Sequence, residues 1–139
     1  MLERDLILRM VQDLRRLVAR VLGLRARGQL AEAASEVEAA SASLLGLDWR
    51  LVERLDAGLL ATQLGASARA SALATLCSTR AGLPGADEGA LRRKAVELWL
   101  EAGAAGAELD ETALRAILAQ PEGTLGPRHE ALRRALVGP

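Results

Sequence analysis

The sequence contains no phenylalanine and no tyrosine, and Trp49 and Trp99 are its only aromatic residues. Aromatic and β-branched side chains favour strands, so a chain with just two Ile and seven Val beside them has no material for a sheet. Cysteine is confined to Cys77, which rules out an internal disulfide and fits a reducing compartment. His129 is the single histidine. One Cys and one His cannot complete a structural zinc site, and no Glu-x-x-His pair exists to build a di-iron bundle. No metal or cofactor is expected.

Net charge is also missing: 18 basic residues stand against 18 acidic ones. Binding to nucleic acid draws on phosphate neutralisation, so nucleic acid is not expected as a partner. No run of about 18 consecutive apolar residues is present, which excludes a transmembrane helix. The opening MLERDLILRM places Glu3, Arg4 and Asp5 where a secretory leader needs an apolar core, and the expected location is cytoplasmic.

What the chain does have is 28 Leu and 28 Ala, both strong helix formers. Its length of 139 residues suits one domain with its own core, and half the residues are hydrophobic. The fold class is therefore all-α, a single domain over residues 1–139 with about seven helices. The first helix runs from Leu2 or Glu3 to about Ala26. Its apolar face is Leu6, Ile7, Met10, Val11, Leu14, Leu17, Val18, Val21 and Leu22, at the three-and-four spacing of a buried stripe. Gly28 is the expected left-handed stop, and a second helix from Leu30 to Leu45 ends at Gly46. Two long helices joined by so short a turn must pack antiparallel. Asp48 caps a third segment that Gly58 divides and Gly65 ends, and Ser67 starts a fourth helix to about Arg80. After the GLPGADEG loop, Asp87 caps a fifth helix through Trp99, and Asp110 caps a sixth to Ala119. Pro127 opens a last helix ending near Val137.

Gly28, Ala33 and Ala40 carry a further signal. Small residues at this spacing let the helices of a hairpin approach closely, and with Val37 between them they resemble the turn and second helix of a tetratricopeptide repeat. Ala95, Trp99 and Ala102 repeat the small–large–small spacing. The run MLERDLILRMVQDLRRLVARVLGL followed by RARGQLAEA also resembles the start of an uncharacterised bacterial family of small tetratricopeptide-like proteins. Its members open with a Met-Leu-Glu-Arg-Asp helix and turn at a glycine into an Ala-Glu-rich second helix. That resemblance implies paired antiparallel helices with degenerate repeats and adds no activity.

Four candidate binding residues stand on the first helix. At about 100° per residue, Arg9, Arg16, Arg20 and Arg27 fall within about 40° of one another, opposite the apolar face. They form either a guanidinium ladder for a partner's carboxylates or a solvated surface neutralised locally by Asp5 and Asp13. Residues 1–30 carry seven Arg against three acids, and residues 31–62 carry six acids against two Arg. Cross-helix pairing of Glu32, Glu36 and Glu38 with the first helix would account for this, and head-to-tail assembly is the alternative. From Ala57 to Thr79 the only charge is Arg69, with small residues at Gly58, Thr62, Ala66, Ala70 and Ala74. This segment is either the buried centre or an apolar interface.

Catalysis finds no support, since Cys77 and His129 lie on different helices and the Gly-rich loops lack the Lys and Ser/Thr of a phosphate-binding loop. The expected function is a protein–protein interaction module, not an enzyme, whose partner is another protein or a second copy as a homodimer. The alternative is a homo-oligomeric structural protein that buries its central helices between subunits.

Overall fold

The computed structural model describes residues 2–65 and 67–138. Within them the chain forms eight α-helices and no strand: α1 (Leu2–Ala26), α2 (Leu30–Leu45), α3 (Trp49–Arg54), α4 (Ala57–Leu64), α5 (Ser67–Ala81), α6 (Glu88–Ala104), α7 (Glu111–Ala119) and α8 (Pro127–Val137). No helix among the described residues is long and apolar enough to cross a membrane.

Capping chemistry sets most of the boundaries. Asp48, Asp87 and Asp110 each accept a backbone N–H from the first turn of the helix that follows, at 2.8, 3.0 and 2.8 Å. Gly28 (φ 76°) and Gly46 (φ 70°) adopt the left-handed conformation that a β-carbon would strain. The third segment breaks at a different place from the one expected. Leu55 and Asp56 are extended, and the Asp56 carboxylate accepts the Leu59 N–H at 2.8 Å, so the chain restarts two residues before Gly58. The break makes eight helices where about seven were expected, and it leaves Gly58 inside α4. Ala66, expected in the small-residue stripe, lies outside the described residues.

Helices α5 and α6 form the centre. α5 packs on α6 along its length and also touches α2, α4 and α1, while α6 receives α4, α7 and α8. Leu73, Leu76, Cys77, Leu98, Ile117 and Leu60 are fully buried at this junction of helices. Within the Ala57–Thr79 segment Leu60, Ala70, Leu73, Ala74, Leu76 and Cys77 are buried, whereas Leu59, Thr62 and Gln63 of α4 are exposed. The α1–α2 hairpin flanks it, with Ala33, Val37 and Ala40 buried. Ala95, Trp99 and Ala102 are buried in α6.

The apolar face of α1 is only partly covered. Met10, Leu14, Val21 and Leu24 are buried, but Leu6 and Leu22 are more than half exposed. Length explains Leu6: 25 residues of α1 span about 38 Å, whereas the 16 residues of α2 span about 24 Å. Because α2 starts directly after the three-residue turn 27–29, it runs out before the N-terminal turns of α1.

Candidate functional site

Two surfaces and one internal cluster hold the chemistry of this chain. The first surface is the basic edge of α1. Arg9, Arg16, Arg20 and Arg27 are all exposed. Arg16 sits 3.4 Å from Asp13 on its own helix, and Arg20 reaches Glu36 of α2 at 2.9 Å. No ion pair of Arg9 or Arg27 occurs among the described residues. Arg16, Arg20 and Glu36 line a shallow 240 Å³ groove with Leu17, Ala40 and Leu44. Of the three acids expected to face α1, Glu36 does so and Glu38 does not. The Glu38 carboxylate turns instead to Arg80 of α5, because α2 lies between α1 and α5 and presents acids to both sides.

The second surface continues from the first. Leu2, Leu6 and Leu8 are 80, 55 and 52% exposed on the two turns of α1 that α2 does not reach. Further along, Val11, Leu14 and Val18 face Ala68, Ala72 and Thr75 of α5 across a 330 Å³ groove.

The internal cluster joins α6 to α8 and was not foreseen. The side chain of His129 is wedged between two carboxylates one helical turn apart. Its Nδ1 lies 3.2 Å from Glu97 Oε2, and its Nε2 lies 2.9 Å from Glu101 Oε2. Arg128 donates to the same Glu101 through Nε and Nη2, both at 2.8 Å, in a bidentate pair. Arg128 together with His129 holds the Glu101 carboxyl below its usual range. Glu97 and then Glu101 raise the imidazole above its ordinary value, against the opposing effect of burial. An imidazole that donates from both nitrogens must be protonated. With the imidazole protonated the four groups form two ion pairs of zero net charge, and Glu101 and His129 are each only 9% exposed.

Two neighbouring cations tie other elements to this junction. Lys94, one turn before Glu97, donates to the Glu53 carbonyl at 3.1 Å and to the Val52 carbonyl, satisfying the C-terminal end of α3. Burial lowers its ammonium pKa. Arg133 of α8 donates to the Gln120 carbonyl at 2.7 Å and the Ile117 carbonyl at 3.3 Å, and it pairs with Glu130. Beside Lys94 and Glu97, a 320 Å³ cleft opens between the α3–α4 turn and Thr124. Every buried polar side-chain atom among the described residues has a hydrogen-bond partner.

Cys77 and His129 do not form a pair, because both ring nitrogens are already engaged by glutamates. Burial pushes the Cys77 thiol up to about 12, far from a nucleophile's range. Folded protein at neutral pH is expected to react with a disulfide exchange reagent at least about a hundredfold more slowly than protein in denaturant. Comparable rates in the two states would refute the buried placement.

No protein-family model, curated protein or solved structure matches this chain.

The glutamate–histidine cluster had one signal in the sequence. Glu97 and Glu101 are spaced i, i+4 around Trp99 in an otherwise apolar stretch, AVELWLEA, where a carboxylate on the inner face needs a buried cation.

Proposed function

We propose that this chain is a non-catalytic protein-interaction module, an adaptor built on tetratricopeptide-like helical hairpins, and that α1 is its docking element. The observation that carries this reading is the uncovered first two turns of α1, where Leu2, Leu6 and Leu8 stand exposed beside Arg9. Leu2 and Leu6, one turn apart, share a side of α1 with Arg9 next to them, while Leu8 lies on another side. Exposed leucine bordered by arginine has the composition of an interface core and its rim. The partner that fits is a protein with an apolar groove and an acidic rim, which takes α1 in the helix-in-groove manner. Arg9 and Arg27 are available for that rim, while Arg16 and Arg20 would exchange Asp13 and Glu36 for the partner's carboxylates. The buried Ala33, Val37 and Ala40 set, with its echo at Ala95, Trp99 and Ala102, supports the hairpin-repeat part of the reading.

The test is affinity capture from a bacterial lysate with wild type, Leu6→Glu, and the triple variant Arg9→Glu, Arg16→Glu, Arg27→Glu. All the altered side chains are exposed, so melting temperatures should stay within about 2 °C of wild type. Loss of the same captured protein in both variants is the expected result. Retention of every captured protein by both folded variants defeats the proposal. If wild type is instead a dimer by light scattering and Leu6→Glu is a monomer, the α1 surface is a self-association face and the adaptor reading fails.

A further inference from the structure

Helix α8 is held on by an unusual set of groups. Its only buried side chains are His129 and Arg133, both cationic when protonated, and neither is a hydrocarbon. Its apolar side makes a loose seam with α6: Leu132, Ala135 and Leu136 face Leu100, Gly103 and Ala104 across a 180 Å³ gap, and Leu136 remains 44% exposed. An ordinary surface helix buries an apolar stripe and keeps its charges in water. In α8 the deepest side chains are His129 and Arg133, and the one apolar side chain packed on the core, Leu132, is only partly buried, so charge complementarity contributes to how firmly the helix docks.

From these contacts we propose that α8 is a pH-responsive latch, docked when His129 carries both ring protons between Glu97 and Glu101 and loosened when it loses one. Neutral imidazole keeps one N–H, so one nitrogen lone pair must then face a carboxylate oxygen at 2.9 or 3.2 Å. A donor–acceptor contact becomes a repulsive one, inside a site that excludes most water.

The surrounding charges favour the protonated form. On α6 the facing groups are Glu97 and Glu101, with Lys94 one turn earlier beside Arg93. On α8 itself they are Arg128, committed to Glu101, and Glu130, committed to Arg133. From α4, Gly58 lies against Glu101, with the Asp56 carboxylate next to it but occupied in capping Leu59. Glu53, at the end of α3, faces Lys94. α7 contributes the backbone carbonyls of Ile117 and Gln120, which Arg133 already holds.

The sign follows from linkage. His129 is raised in the folded state, so its contribution is fully present below its ordinary value of 6.5 and is lost as pH climbs through the higher folded value. Glu101 is lowered, so its contribution is complete above the ordinary 4.5 and is lost as pH falls through the lower folded value. Docking of α8 is tightest between those two ordinary values and weakens on the alkaline side first through His129.

Because His129 is the only histidine, its imidazole resonance can be followed without assignment ambiguity while amide exchange reports on α8. The His129 resonance is expected to titrate above 6.5. Amides of α8 should lose about fivefold or more of their protection between about pH 6 and pH 9, corrected for intrinsic exchange, while those of α5 keep theirs. His129→Gln should flatten this dependence over the same range. If that variant does not fold, Glu97→Gln serves instead, since it removes one carboxylate and should move the transition to lower pH. A His129 titration at or below 6.5, or α8 protection that changes by less than about twofold, overturns the proposal.

Discussion

Replacing Trp99 by alanine is expected to remove about 3–5 kcal/mol of folding stability, the range for deleting a large buried aromatic. Trp99 is 3% exposed in α6, the helix that meets α4, α5, α7 and α8. The cavity it leaves cannot close by a local shift, because moving α6 toward the void withdraws it from the other three helices. For a domain of this size the loss corresponds to roughly 10–15 °C of melting temperature. Thermal unfolding followed by far-ultraviolet circular dichroism measures it, and Trp49 still reports by fluorescence. Leu59→Ala, at a site 53% exposed, is the matched control and should change stability by less than about 0.5 kcal/mol. A Trp99→Ala variant within about 1 kcal/mol of wild type would mean that α6 is not the central helix.

The second large effect is expected at Arg80, which is 5% exposed near the end of α5. Its Nε donates to Glu38 of α2 at 2.8 Å, and its Nη1 donates to the carbonyls of Leu83 and Pro84 at 3.2 and 2.9 Å. One guanidinium thus fastens the α5–α6 loop to the α1–α2 hairpin. Arg80→Ala leaves two loop carbonyls without their donor and should cost about 3 kcal/mol, with faster amide exchange over residues 82–87. Arg80→Lys should recover less than half, because an ammonium cannot reproduce the planar fork. Glu38 is part-exposed, so its share is screened, and Glu38→Ala alone should cost about 1 kcal/mol or less. A double-mutant cycle separates the carboxylate from the carbonyls. If Glu38→Ala costs as much as Arg80→Ala, the loop carbonyls contribute nothing.

The parts of this fold that are written locally could be read from the sequence. Asp48, Asp87 and Asp110 each precede a helix-forming run, and Gly28 and Gly46 each follow one, so caps and stops needed no knowledge of the neighbours. Asp56 escaped because its signal competes with Gly58 two residues later, and a glycine looks like the stronger breaker until the aspartate is seen to cap. What required tertiary information was pairing. Which helix receives Glu38 depends on α2 lying between α1 and α5, and no periodicity within α2 encodes that. His129 and its two glutamates are about thirty residues apart on helices whose contact is set by the α7 excursion between them. The four arginines of α1 were placed on the exposed side by helical geometry. Exposure is a statement about water, however, and cannot say what a guanidinium would bind.

The central position of α5 also has a consequence in time. One of its sides is met by α1, α2 and α4, which precede it in the chain, but the other is met by α6, which follows. At about 5–20 residues per second, the stretch from the end of α5 to the end of α6 takes roughly one to five seconds to synthesise. During that interval the α6-facing side of Leu73, Leu76 and Cys77 has no permanent cover, and the thiol that is inert in the finished protein is not yet shielded by α6. The nascent chain therefore passes through a brief stage in which a central helix lacks the neighbour that later covers it.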